Sequence, residues 1–383
     1  MTGSQGSFHR SRPNYARRTA AEYNKNGGQG DAANLYSRGY YYSRKTILLP
    51  LLEEIRKLAE KCDSLQGFAI SSAKNGGTGS GLGALIHEEL SSEYGQLSRL
   101  STALWPAPKE SAVVVGLYNA ILSTKYFTDE DILILQDNEA LHEICSRSFG
   151  KAADIHDTNE CIGQAKGPQC AEISSPAFSY VFQAFSTLTS AMRFGRTKDF
   201  NLENIRKHFN STFLHQLLTC SCIPPLLQLP SLPNAPLFIR NCTLQLLEPH
   251  RYFLKCKMEN ASTDTAFLLY RGTFDFGKIN SALQAVRSHC SGLGNLEYTA
   301  VAAMENYPNT ISKSLKRYNA QSALYLFNSS AISKNLLSTV AKFDKLYAKR
   351  AFVHWFISEG MEESEFLESR ERLLCWLSGQ RPT

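Results

Sequence analysis

The stretch Asn75-Gly76-Gly77-Thr78-Gly79-Ser80-Gly81 joins two segments of different character. Before it, Leu65-Gln66-Gly67-Phe68-Ala69-Ile70 is a short apolar run that reads as a buried strand. After it, Leu82, Leu85, Ile86 and Leu90 recur on one helical face. The order strand, glycine-rich turn, helix constrains the chain more than anything else in it. A helix N-terminus presents unpaired N–H groups and a partial positive charge, and glycines let the backbone come close enough to aim those donors at phosphate oxygens. A flexible Gly/Ser linker is the competing reading of the hexapeptide 76–81 taken alone; its flanks favour phosphate binding. No Lys follows the last glycine, so this is not a GxxxxGK[ST] loop, and it is not a GxGxxG dinucleotide turn either.

Alternation extends on both sides of the turn. Ile47, Leu48, Leu51, Leu52, Ile55 and Leu58 fall at helical spacing, predicting a helix through Leu58. A second cycle follows: Ala112-Val113-Val114-Val115 is β-branched and reads as a strand, and Ile132-Leu133-Ile134-Leu135 reads as another. Asp137-Asn138 then caps a helix beginning near Glu139. Residues 266–271 read as a strand, Ile279 to Val286 as a helix packing back upon it, and the chain from Ser333 as strongly helical. Strands alternating with helices imply an α/β fold with a mostly parallel sheet.

Composition excludes several classes. With 43% hydrophobic and 20% charged residues, 24 Gly and 14 Pro in 383 positions, the chain is neither collagen, coiled coil nor wholly disordered. A net charge of +6 tolerates an anionic partner without requiring one. The richest apolar stretch, Leu217 to Leu229, is broken by Pro224 and Pro225, so no membrane span is expected. No secretory signal is visible at the N-terminus, which suggests a cytosolic chain whose ten scattered cysteines are free thiols. The closest pair, Cys220 and Cys222, lacks the CxxC spacing of a zinc or redox site. No metal site and no nucleic-acid partner are expected. Residues 1–30 are rich in Arg and poor in aliphatics and read as a disordered basic arm.

Gly76-Gly77-Thr78-Gly79-Ser80-Gly81 resembles the signature loop of the tubulin and bacterial FtsZ-type GTPases, and tubulin is the closer match. Asp31-Ala32-Ala33-Asn34, Tyr36-Ser37-Arg38-Gly39, Leu65-Gln66-Gly67-Phe68, Pro106-Ala107-Pro108, Tyr118-Asn119-Ala120-Ile121-Leu122 and Asp137-Asn138-Glu139-Ala140 are similar to tubulin segments in tubulin order. Residues 342–355, with Glu359-Gly360-Met361-Glu362-Glu363-Ser364-Glu365-Phe366, resemble the α-tubulin form of the C-terminal helices. The likeness runs from about Asp31 to Arg372.

The resemblance implies a tubulin/FtsZ-like GTPase fold with a Rossmann-like sheet, an intermediate α+β domain and C-terminal helices. The expected divisions are a partial GTP-binding domain over 31–150, an interrupted central helix over 151–194, an intermediate domain over 195–330 and a helical region over 331–383. GTP is the implied ligand, with Mg2+ accompanying the nucleotide. Ala32, Ala33 and Asn34 would approach the phosphates on one side and Gly76, Gly77, Thr78 and Gly79 on the other. Asn138 would bond the guanine or ribose, and Asn159 would be a second guanine contact. The implied partners are β-tubulin and the microtubule lattice, and the implied place is the cytoplasmic cytoskeleton.

Departures from the family pattern bear on activity. Asn75 replaces the loop's first glycine, Ala73 a serine, and Ala112 and Gly116 stand where a Thr and a ribose-binding Glu occur. The first strand, first phosphate loop and first helix of a tubulin have no counterpart, and the chain ends without an acidic tail. In an ungapped match Asn204 takes the position of the α-tubulin glutamate that acts on the neighbouring subunit's GTP, with Glu203 one residue early. Glu203 otherwise reads as a solvated acid near a helix start. Two readings follow: a divergent α-tubulin-like, GTP-binding constituent of the microtubule cytoskeleton or, as the alternative, a degenerate tubulin-like interaction protein that binds no nucleotide or a truncated gene product.

Overall fold

The structure, a computed structural model, describes residues 31–106, 113–129, 132–149, 184–185, 187–189, 202–209, 216–223, 236–256, 258, 261–271, 276–289, 293–301 and 322–378. Asn159, Ala112, the basic arm and most of the expected central helix lie outside them.

Asp31–Leu35 leads into a π-helical turn, Arg38–Tyr42, then α1 (Ser43–Thr46) and α2 (Leu48–Glu60). β1 (Gly67–Ala73) enters the glycine-rich turn, and a second π-helical turn, Thr78–Leu82, continues as α3 (Gly83–Glu93). Then come β2 (Ser98–Trp105), α4 (Gly116–Ser123), β3 (Ile132–Asp137) and α5 (Asn138–Phe149). Next are α6 (Leu202–Phe209), β4 (Leu217–Ile223), α7 (Pro236–Leu246), β5 (Thr263–Arg271), α8 (Phe276–His289), β6 (Leu293–Val301) and β7 (Ser322–Asn328). The chain closes with α9 (Ser330–Tyr347), α10 (Val353–Ser358) and α11 (Ser364–Leu377).

Among the described residues the strands form one sheet in the order β1-β2-β3-β4-β7-β5-β6. β1 through β4 are parallel, as are β5 and β6, while β7 joins the two groups by antiparallel pairing on both sides. The sheet is therefore mostly parallel, as the strand–helix alternation requires, since parallel neighbours need crossover connections. The register pairs Ala73 with Leu104 and Trp105 with Asp137, so the carboxyl ends of β1, β2 and β3 finish along one edge.

Both faces of the sheet are covered. Leu133 and Leu135 of β3 enter a core shared with α3, α4 and the C-terminal helices, whereas Ile132 and Ile134 enter one shared with α5 and α6. A third core lies between β4, β5, β7 and helices α7 and α8. Arg370 of α11 grips Asp344 of α9 through two bonds of 2.6 and 2.9 Å, fixing the last two long helices to each other. No helix among the described residues is long and apolar enough to cross a membrane. Cys62, Cys220, Cys222, Cys242, Cys256 and Cys375 are free thiols.

Two expectations need correction. Val113–Val115 is not strand but the turn that precedes α4: Gly116 donates its N–H to the Val113 carbonyl, and Val114 is 65% exposed. The strand of this cycle is β2, whose Ser-Arg-Leu-Ser-Thr-Ala-Leu-Trp is almost wholly buried. β1 is also displaced toward the turn, reaching Ala73 and leaving Leu65 outside.

Candidate functional site

The glycine-rich turn begins where β1 ends, and its shape is dictated by backbone contact. A β-carbon at Gly77 would lie 2.6 Å from both the amide nitrogen and the carbonyl oxygen of Leu35, and 2.9 Å from the Ala32 carbonyl. The two π-helical turns cross at Gly39 and Gly81, where any side chain on Gly81 would overlap the Tyr36 carbonyl oxygen. Gly79 is held against the Ala73 carbonyl in the same way. Only glycine permits these approaches. Gly76 differs, for a β-carbon there would have only the Asn34 side chain within reach, at 3.6 Å.

The loop 31–35 lies directly against this turn. Leu35 donates to the Ala32 carbonyl at 2.9 Å, closing a tight turn in which Ala33 and Asn34 both adopt left-handed backbone, at φ 48° and 56°. Left-handed backbone disfavours residues with a β-carbon, so two in succession need support from their surroundings. That support is Asn119 of α4, which is fully buried. Its Nδ2 donates to the Asn34 carbonyl at 2.7 Å and to the Asn75 carbonyl at 2.9 Å, while its Oδ1 accepts the Tyr36 N–H at 3.0 Å.

The structure therefore places Ala32, Ala33 and Asn34 beside Gly76, Gly77, Thr78 and Gly79. The first-turn amides of the helical run from Thr78 have no partners within their own helix and carry its positive dipole end. Ser80 does not share this role: its N–H donates to the Gly76 carbonyl at 3.2 Å, and its hydroxyl donates to the same oxygen at 2.5 Å. Asn138, exposed, opens α5 on the same sheet edge. Asp137 anchors it from beneath, its carboxylate accepting the N–H groups of Ala140 and Lys255, both at 2.6 Å. Burial raises the Asp137 pKa, against the opposing pull of these two donors. No group of three or more His, Cys, Asp or Glu among the described residues could hold a metal.

Glu203 and Asn204 lie elsewhere. Both are exposed on α6, whose Leu202, Ile205 and Phe209 are buried against the sheet. Glu203 is ion-paired with Lys207 at 2.8 Å, which lowers its pKa. Leu202 approaches Gly67, at the amino end of β1. The strand spans roughly 20 Å, so these residues and the glycine-rich turn occupy opposite edges of the sheet. Sequence reasoning missed Asn119 as a site residue. Its signal is a lone amide within the otherwise apolar run Leu117-Tyr118-Asn119-Ala120-Ile121-Leu122.

A glycine-rich turn leading into a helix N-terminus at the carboxyl edge of a parallel sheet defines an α/β architecture of the kind that can receive a phosphate group. The profile of the Tubulin/FtsZ family, GTPase domain, matches residues 13–146. The tubulin alpha-2 chain of Emericella nidulans is 32% identical over 367 residues, covering 90% of this chain and 73% of that protein. The tubulin alpha-3 chain of Zea mays is 33% identical over 356 residues, covering 90% and 74%. This chain belongs to the tubulin family and is a divergent relative of the α-tubulins.

Proposed function

We propose that the chain is a GTP-binding, α-tubulin-like subunit of the cytoplasmic microtubule cytoskeleton that associates with β-tubulin at its nucleotide edge. The observation that carries this reading is the pair of loops, 31–35 and 75–79, fastened to one another beside a helix N-terminus. Ala32, Ala33, Asn34, Gly76, Gly77, Thr78 and Gly79 would face the phosphates, and Asn138 the base or ribose. Asn159 would supply a second base contact. The division into a nucleotide domain (31–150), central helix region (151–194), intermediate domain (195–330) and C-terminal helices (331–383) belongs to the same reading.

Exposed apolar groups near this edge support a partner there. Val114 stands in the turn before α4, and Trp355 and Ile357 project from α10 at 42% and 43% exposure. Arg38 lies 6.0 Å from the Tyr42 ring centre and 3.8 Å from Glu359, which follows α10. With Glu203 and Asn204 on the opposite sheet edge, they would act only on a neighbour's nucleotide, in a head-to-tail contact. An amide at position 204 can orient water but cannot take its proton, so stimulated hydrolysis should be slight. Co-sedimentation with β-tubulin and GTP tests association. In mixed assemblies Asn204→Glu should raise turnover; unchanged turnover, with assembly intact, would refute the assigned position.

A second reading has one observation in its favour. Gly77, Gly79 and Gly81 are each required by backbone packing, so the glycine pattern would serve a tubulin-like interaction protein that binds no nucleotide.

A further inference from the structure

We propose that Asn119 is a positioning residue that sets the two phosphate-facing loops in a single geometry, so that their donors converge on one group. The inference rests on the nucleotide reading for its purpose but on geometry for its substance. Three bonds leave one buried amide for two segments: to the Asn34 carbonyl and the Tyr36 N–H in the first, and to the Asn75 carbonyl in the second. The amide's orientation is forced, since only its NH2 can serve two carbonyls and only its oxygen can accept from Tyr36. The Asn34 carbonyl belongs to a left-handed residue that follows another, so the bond acts at a strained stretch of backbone. The Asn75 carbonyl opens the glycine-rich turn. Remove the amide, and Gly77 still keeps the loops in contact, but the bonds that tie the left-handed pair to the start of the glycine-rich turn are lost.

Asn119→Asp keeps the shape and the acceptor for Tyr36 but turns lone pairs toward two carbonyls. Hydrogen exchange on the full chain without ligand should rise together in peptides 31–42 and 74–82, by about tenfold or more, with β3 and α9 unchanged. The introduced carboxyl, buried against carbonyls, should have a raised pKa. Below that pKa its O–H can donate to one carbonyl, and exchange should slow part of the way back. Affinity for Mg·GTP should fall about tenfold or more while affinity for guanosine alone stays the same. If the carboxyl variant does not fold, Asn119→Ala gives the same exchange and binding comparison without a buried charge. Exchange rising in one loop only, or equally through β3 and α9, would overturn the proposal, as would parallel losses for GTP and guanosine. Failure of the parent chain to bind GTP would instead overturn the nucleotide reading, and the exchange measurement would still decide the role of Asn119.

Discussion

Tyr118 shows what a single buried residue contributes here. Its ring meets Phe343, Phe356 and Phe366 edge to face at centroid distances of 5.4, 5.6 and 5.1 Å, pinning all three C-terminal helices to α4. Its hydroxyl is buried with no hydrogen-bond partner among the described residues, and burial pushes its pKa up to about 12. Tyr118→Phe should thus leave stability unchanged or raise it by up to about 1 kcal/mol, because an unmet hydroxyl is removed. Tyr118→Ala should lose about 3–5 kcal/mol through the cavity left among the rings. Chemical denaturation of both variants measures this, and a large loss on Tyr118→Phe would show that the hydroxyl has a partner after all. The next residue, Asn119, turns the other way, toward the loops. The lone amide in an apolar run marks Asn119, but the partners of neither residue were legible in sequence, because a run of buried helix residues gives no sign of which neighbour each one meets.

At the scale of elements, the π-helical turn Arg38–Tyr42 joins three parts of the molecule through tyrosines. Tyr36 stacks on Tyr40, the Tyr40 hydroxyl donates to Glu88 of α3, and the Tyr41 hydroxyl donates to Glu365 of α11. Tyr126 lies 3.1 Å from the Tyr40 hydroxyl. Burial is the first cause that raises these phenols; for Tyr40 the hydrogen bond to Glu88 comes next, and Tyr40 is pushed up to about 12 from 10.0. Tyr36 and Tyr126 are also raised. A group raised in the folded state stabilises it fully below the unfolded value and loses that contribution as pH climbs through the folded value. Stability should therefore hold to about pH 9 and fall above about pH 10, with phenolate absorbance appearing as the chain unfolds. Tyrosines titrating freely near pH 10 in an intact fold would contradict the packing described.

The elements themselves were unequally legible. Helix α2, strand β3 and the cap at Asp137 follow from apolar spacing and one capping residue. β2 escaped notice because a strand buried on both faces shows no alternation, and its Ser98, Ser101 and Thr102 break any apolar run. The valines at 113–115 misled for the opposite reason: strand-like side chains occupy the turn before α4, where Val114 is exposed and Val115 is buried in the core.

For the molecule as a whole, α4 connects the two functional regions, since it begins at the carboxyl edge of the sheet, holds the loops through Asn119 and carries the C-terminal helices on Tyr118. Parallel topology and the glycine-rich turn were readable because both depend on local pattern. The antiparallel insertion of β7 between β4 and β5 was not, because strand order depends on contacts far apart in the chain. The central claim is that this architecture still presents a nucleotide-phosphate cradle, and titration of the purified, folded chain with Mg·GTP tests it most directly. Saturable one-to-one binding is expected, about 1,000-fold or more weaker than an α-tubulin measured alongside, because Ala73, Ala112 and Gly116 supply no polar side chain at about 1.5–3 kcal/mol per lost contact. No saturable binding at millimolar GTP would contradict the account and leave the packing role of the glycines as their whole explanation.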